Sequence, residues 1–170
     1  GTWIVDEEDD MEQAIVSAVT DDTSEAKVTV HGVPDEPGIA ARLFGALADR
    51  SINLDMIVQN TAAGGLADIS FTVAKVDLER TTAVCDEVSH SLGASKVTSD
   101  DGIGRVSLVG AGMKSHPGVT ARMFKTLADA GINIEMISTS SIRISCVIRA
   151  ELVEDAVRRL HDAFELGVAP

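Results

Sequence analysis

The feature that most constrains this chain is that it says the same thing twice. Pro37-Gly38-Ile39-Ala40-Ala41-Arg42-Leu43-Phe44 returns as Pro117-Gly118-Val119-Thr120-Ala121-Arg122-Met123-Phe124. Leu47-Ala48-Asp49 returns as Leu127-Ala128-Asp129, and Ile52-Asn53-Leu54-Asp55-Met56-Ile57 as Ile132-Asn133-Ile134-Glu135-Met136-Ile137. The separation is 80 residues from Pro37 to Pro117 and still 80 from Ile57 to Ile137. Chance does not hold register over so many matches, so the chain is a tandem copy of one supersecondary unit.

The first copy predicts its elements from periodicity. Residues 26–33 are alternating and β-branched, which predicts a strand. Asp35-Glu36-Pro37-Gly38 is a turn whose proline suits the first turn of a helix. Apolar residues at 40, 43, 44, 47 and 48 make the helical stripe. A strand over 52–60, a loop over 61–65, a strand over 67–73, a helix over 78–92 and a closing strand over 95–99 follow. Val84, Val88 and Leu92 share one face of the second helix. The order is βαββαβ, an α+β ferredoxin-like module.

The second copy predicts strands over 105–110, 134–138 and 142–148, and helices over 118–130 and 151–166. Leu152, Ala156, Val157, Leu160 and Phe164 form the inward face of the last helix. No strand fits in Gly167-Val168-Ala169-Pro170. The strand-like segment 14–19 lies ahead of the first copy and is expected to complete the second sheet, because an unpaired edge invites aggregation. The expected organisation is therefore a flexible acidic N-terminus over 1–11, a first module over 26–100, and a second module over 12–20 plus 103–168, with the first module inserted in the second.

Composition narrows the function classes. Net charge is −13 and aromatic residues are 3% of the chain. Nucleic-acid binding needs a basic footprint and stacking rings, and anionic membrane surfaces are disfavoured by the same charge. An RNA-recognition sheet of the same strand order would need surface aromatics on its central strands, where Phe71 stands alone. No apolar run approaches the roughly 20 residues of a bilayer span, and the first residues lack signal-peptide character. A cytoplasmic location is expected. Cys85 and Cys146 are read as small buried hydrophobes, and His31, His90, His116 and His161 have no metal-ligand spacing, so no metal is expected.

No nucleotide-binding glycine motif or nucleophile elbow occurs, so no catalytic residues are assigned. Binding has better support. The turn before each first helix presents backbone N–H groups at Gly38, Ile39 and Ala40, and at Gly118, Val119 and Thr120. Such helix starts hold carboxylates, and glycine lets a ligand approach. Asp35, Gln59, Asn60, Asp55 and Glu135 could take an ammonium. An α-amino acid carries both charges. The same Asp-x-Pro-Gly pattern also serves as a plain cap and turn. Asn53 and Asn133 could be turn residues, Met56 and Met136 core residues, and Arg42 and Arg122 surface charges.

A strand, then [DS]-x-Pro-Gly, a helix with Phe and Leu-Ala-Asp, then Ile-Asn-[LI]-[DE]-Met-Ile resembles the ACT domain family of small-ligand sensors. Residues 25–30, 55–60, 106–113 and 137–145 look like the tandem-repeat regulatory region of aspartate kinases, and the nested arrangement is that family's too. The resemblance implies allosteric feedback inhibition by threonine, lysine or both in aspartate-family (lysine, threonine, methionine) biosynthesis. It implies a threonine-type site of Asp35, Gly38, Ile39, Ala40, Gln59 and Asn60, joined across an interface by Asn133 and Ile134. A second effector-type site would use Asn53, Leu54, Asp55, His116, Gly118, Val119, Thr120, Ser138 and Ser140 and could take lysine. The 61–67 loop is short and lacks the acidic insertion of many relatives.

The kinase domain is absent from the sequence, so the chain is expected to need no cofactor. ATP and Mg belong to that domain, and the chain is read as a natural β subunit or a cut regulatory fragment. Expected partners are the effector, the aspartate kinase catalytic subunit or domain, and a second copy in a homodimer. Neither nucleic acid nor membrane is expected. The alternative is a regulatory ACT subunit of another biosynthetic enzyme, such as acetolactate synthase, responding to valine.

Overall fold

A computed structural model describes residues 15–166. The acidic N-terminus, Ala14 and the last four residues therefore lie outside the described residues. In chain order the elements are β1 (Val16–Asp22), β2 (Glu25–Pro34), α1 (Ile39–Asp49), β3 (Ile57–Ala62), β4 (Leu66–Ala74), α2 (Leu78–Leu92), β5 (Lys96–Asp100), β6 (Ile103–Gly110), α3 (Pro117–Asp129), β7 (Met136–Thr139), β8 (Arg143–Arg149) and α4 (Val153–Ala163). Short 3₁₀ turns precede α2, α3 and α4.

The chain divides into two compact units. One comprises residues 24–103, with sheet order β3-β4-β2-β5. The other comprises the described residues up to 23 together with those from 104 onward, with sheet order β1-β6-β8-β7. β1 runs antiparallel to β6, from Val16 opposite Gly110 to Asp22 opposite Arg105, with a register shift between Val16 and Ala18. It holds in its sheet the place that β5 holds beside β2.

In the 24–103 unit the alternation of β2 and β4 sends Val28, Val30, Ile69 and Phe71 to the face that packs on α1 and α2. Leu43 and Leu47 of α1 and Leu92 of α2 close that core. Each such side chain contributes about 1.5–3 kcal/mol by leaving water. The buried stripe of α1 is Ile39, Leu43 and Leu47; Ala48, expected in the stripe, is exposed, because a four-residue step from Leu43 favours Leu47. Phe71 is fully buried and meets Phe44 edge-on at 5.7 Å, so it is no stacking platform.

In the other unit Val106, Leu108, Ile144, Cys146 and Ile148 face Met123, Leu127, Ala156 and Leu160. Ile15 and Val16, entering β1, belong to this core. Both cysteines are reduced and buried, with thiols pushed up to about 12 by burial, which suppresses the reactive thiolate. Met56 and Met136 are core residues.

The strand expected over 52–60 starts only at Ile57. Asp55 donates its N–H to the Thr72 carbonyl, while the Met56 N–H turns to Thr72 Oγ1 and the Met56 carbonyl accepts from Thr72 N–H. Two residues thus oppose one, as in a β-bulge. The loop expected over 61–65 is tighter than that, since β3 runs to Ala62 and β4 begins at Leu66.

Candidate functional site

In the 24–103 unit, α1 begins without a side-chain cap. Gly38 precedes it at φ 96°, a left-handed conformation that glycine adopts readily, and its first turn carries no acidic side chain. The leading N–H groups of such a helix have no intrahelical acceptor, and the aligned peptide dipoles place partial positive charge there. Ile39 buries its side chain in the core, so what it can offer a ligand is its backbone. Ala40 is half-buried, and Asp35 is exposed on the loop. The loop is tied down by one bond, Asp35 N–H to the Gly65 carbonyl at 2.9 Å.

The β3 register separates two residues that the sequence put together. Gln59 lies opposite Ile69, a core residue, whereas Asn60 lies opposite Asp68. Directly opposed residues share a face and successive residues alternate. Gln59 therefore stands on the helix-covered face with the start of α1, and Asn60 on the other. Asn53 and Asp55 are exposed and Leu54 is half-buried against the core, all between α1 and β3.

In the other unit the run into α3 is longer. A 3₁₀ turn over Met113–Ser115 is followed by His116, whose Nδ1 lies 2.9 Å from the Gly112 carbonyl. Pro117 is the first residue of α3, where its missing N–H costs nothing. Against this helix start is a pocket of about 670 Å³ lined by Met113, Pro117, Thr120, Ala121, Phe124, Thr139, Ser140, Ser141 and Ile144. Hydroxyls and apolar groups line it, with no charged side chain among the described residues. A smaller cavity of about 130 Å³ lies by Gly118, Val119, Arg122 and Phe164.

The second residue set is thereby divided. Thr120 and Ser140 line the larger pocket, and Gly118 and Val119 the smaller. Ser138 lies opposite Ser145, on the sheet face away from the core, while Thr139 lies opposite the core residue Ile144. Thr139 is thus the counterpart of Gln59, and strand alternation was the signal that could have selected it over Ser138. Ser140 Oγ accepts from the N–H groups of Ile142 and Arg143 at 3.3 and 3.1 Å, fixing the turn between β7 and β8. Asn133 is exposed and Ile134 packs on the core of this unit. Glu135, considered for an ammonium, instead grips Arg149 through two bonds of 2.8 and 3.0 Å.

The two arginines of the repeat are more than surface charges. Arg42 donates to the Ser91 carbonyl near the end of α2 at 3.0 Å. Arg122 stacks 5.5 Å over the Phe164 ring just past α4. Each ties the first helix of its module to the second. Among the described residues no group of three or more His, Cys, Asp or Glu could hold a metal, and no helix is long and apolar enough to cross a membrane.

Known proteins fit this architecture. ACT domain models match residues 26–87 and 106–164. An aspartokinase of Corynebacterium efficiens is 47% identical over 171 residues, covering 98% of this chain and 41% of its own length. One of Mycolicibacterium smegmatis is 50% identical over 159 residues, covering 92% and 38%. The chain thus spans about two-fifths of the length of these relatives. Among solved structures, a crystal structure of aspartokinase alpha and beta subunits superposes with a TM-score of 0.84 at 46% identity, covering 89% of this chain and 99% of that one. The ligand-free regulatory subunit of aspartate kinase from Thermus thermophilus gives 0.84 at 41% identity, covering 88% and 99%.

Proposed function

The chain belongs to the aspartate kinase family, as its regulatory region of two ACT domains, and from that premise we propose that it binds threonine, lysine or both and passes their presence to a kinase as feedback inhibition. The observation that supports this is the pocket of about 670 Å³ beside the start of α3. Its Thr120, Thr139, Ser140 and Ser141 hydroxyls suit the polar groups of a small amino acid, and its Met113, Phe124 and Ile144 surfaces suit an aliphatic stem. In the first module the uncapped start of α1 suits the carboxylate, with Gln59 on the same sheet face as a second polar group. The hydroxyl-lined pocket and the acidic Asp35-Glu36 loop differ chemically, so the two modules need not share a ligand.

The proposed partner is a kinase catalytic subunit or domain, to which ATP and Mg would belong. A homodimer is proposed as well. β3 and β7 are the outer strands of their sheets, and at equivalent places they expose Ile57 at 51% and Ile137 at 43%. An effector bound only by the assembled form would stabilise it by mass action and shift the kinase through differential affinity for two states. The proposed setting is cytoplasmic amino-acid biosynthesis. The family assignment leaves no place for the acetolactate synthase alternative.

Isothermal calorimetry with L-threonine and L-lysine on this chain tests the reading. Heat of binding with either is expected; no heat with both sinks it. Gln59→Ala is expected to weaken threonine binding by about 1–3 kcal/mol if a buried partner is left unpaired, and unchanged affinity removes Gln59 from the site.

A further inference from the structure

The two modules differ in the loop that leads into their first helix, yet both fasten that loop in the same way. In the first module the loop is Asp35-Glu36-Pro37-Gly38, and the Asp35 N–H donates to the Gly65 carbonyl at 2.9 Å. In the second it is two residues longer and contains a 3₁₀ turn, and the Met113 N–H donates to the Ser141 carbonyl at 3.0 Å. Gly65 and Ser141 both sit at the tip of the hairpin on the outer side of the sheet, β3–β4 in one case and β7–β8 in the other. In the second module the two residues so joined, Met113 and Ser141, both line the larger pocket.

A loop held only by the strand before it and the helix after it would sample several conformations, and a ligand would have to select one of them. The backbone bond to the hairpin removes that freedom. We infer that the hairpin tip is the positioning element of the ligand loop in each module, so that Gly65, which has no side chain to touch a ligand, sets effector affinity through Asp35. This deepens the effector reading above and rests on it.

The first module carries the clearest test. Gly64 and Gly65 turn the hairpin with φ of 80° and 73°, both left-handed. A Cβ at Gly65 would meet no atom within 4 Å, so substitution there acts on the backbone and not by collision. A β-branched residue disfavours that conformation strongly, and asparagine tolerates it. The turn would shift in Gly65→Val and keep its shape in Gly65→Asn.

The experiment measures L-threonine and L-lysine affinity by calorimetry, and hydrogen exchange at the Asp35 amide, in the full chain and its variants. Gly65→Val is expected to speed Asp35 exchange and weaken the bound amino acid at least ten-fold, while core amides such as that of Phe71 exchange as before. Gly65→Asn is expected to stay within about two-fold of the parent in both readouts. Gly65→Ala, a milder change of the same kind, replaces Gly65→Val if that variant does not fold. Faster Asp35 exchange with unchanged affinity overturns the inference, and so does a loss of affinity that asparagine fails to rescue. No binding of either amino acid by the unaltered chain is a separate outcome: it overturns the effector reading itself, and this inference with it.

Discussion

Ser51 and Gly131 occupy the same place in the two copies, just past the first helix. Both are left-handed, at φ 56° and 72°. Each is followed by an isoleucine whose N–H returns to the helix, Ile52 to the Leu47 carbonyl at 3.1 Å and Ile132 to Leu127 at 2.9 Å, a Schellman-like termination. The second copy uses the residue this geometry favours. A left-handed L-residue costs roughly 1–2 kcal/mol, and glycine gives part of that back through a looser unfolded chain. Ser51→Gly is therefore expected to stabilise the first module by about 0.5–1 kcal/mol in urea unfolding; a destabilised variant would show that the serine side chain contributes more than the strain costs. The asparagines, Asn53 and Asn133, come two residues later. The sequence could offer them as terminators because asparagine tolerates the left-handed region, but the turn had already been made.

Asp155 in the first turn of α4 is held below the usual carboxylate range, chiefly by its hydrogen bond from Arg158, then by that from Arg159. Because its folded value is depressed, its stabilising contribution is complete above the unfolded carboxyl value of about 4 and is lost as pH falls through the lower folded value. Asp155→Asn is expected to lower Tm at neutral pH, with the difference closing as pH falls through the depressed folded value of Asp155. A difference that persisted into strong acid would assign the effect to the helix start and not to charge.

At the scale of elements, α1, α2 and α3 were legible to within a residue or two because an amphipathic stripe of eleven or more residues is hard to mistake. The strand before Ile57 was overextended for a local reason. Ile52 and Leu54 alternate as a strand would, but the bulge opposite Thr72 interrupts the ladder, and no residue in 52–56 announces it. Alternation along β3 and β7 divides site residues that stand side by side in the sequence. Gln59 and Thr139 lie on the helix side, Asn60 and Ser138 on the other, and a partner strand is needed to fix which is which. The pocket at α3 was not legible beyond Thr120 and Ser140, because Met113 enters it through a 3₁₀ turn with no counterpart in the first copy.

Glycine at a strand end can also matter through space alone. A Cβ on Gly110, at the end of β6, would fall 1.7 Å from the Ile15 carbonyl oxygen, a backbone atom that cannot swing aside. The Ile15 carbonyl also accepts the Ala111 N–H at 3.0 Å, so moving it breaks a bond at the start of β1. Gly110→Ala is expected to cost the second module about 1–3 kcal/mol or more, seen as a lower urea midpoint. By contrast, Gly45 meets nothing within 4 Å and is exposed on α1, so Gly45→Ala is its control and should stabilise by about 0.5–1 kcal/mol through helix propensity. Equal behaviour of the two variants would remove the close approach from the account.

The whole molecule is two cores with unequal claims on the chain. Val28, Leu43, Ile69 and Leu92, with the rest of their cluster, come from one continuous stretch. The second cluster needs Ile15 and Val16 as well as residues from 106 onward. Without β1, β6 would present an open edge alongside Val106 and Leu108, and unpaired edges promote association. Residues 24–103 alone are therefore expected to fold, with a cooperative urea transition. Residues 104–170 alone are expected to aggregate or remain partly ordered. Joining residues 12–23 to the start of 104–170 by a short flexible linker should restore a cooperative transition, and changing Ile15 and Val16 to Asp in that fusion should abolish it. If 104–170 folds cooperatively without the added strand, β1 is an ornament of the sheet. If instead only the fusion folds, the continuity of the second module depends on a strand that the chain lays down before the first module begins.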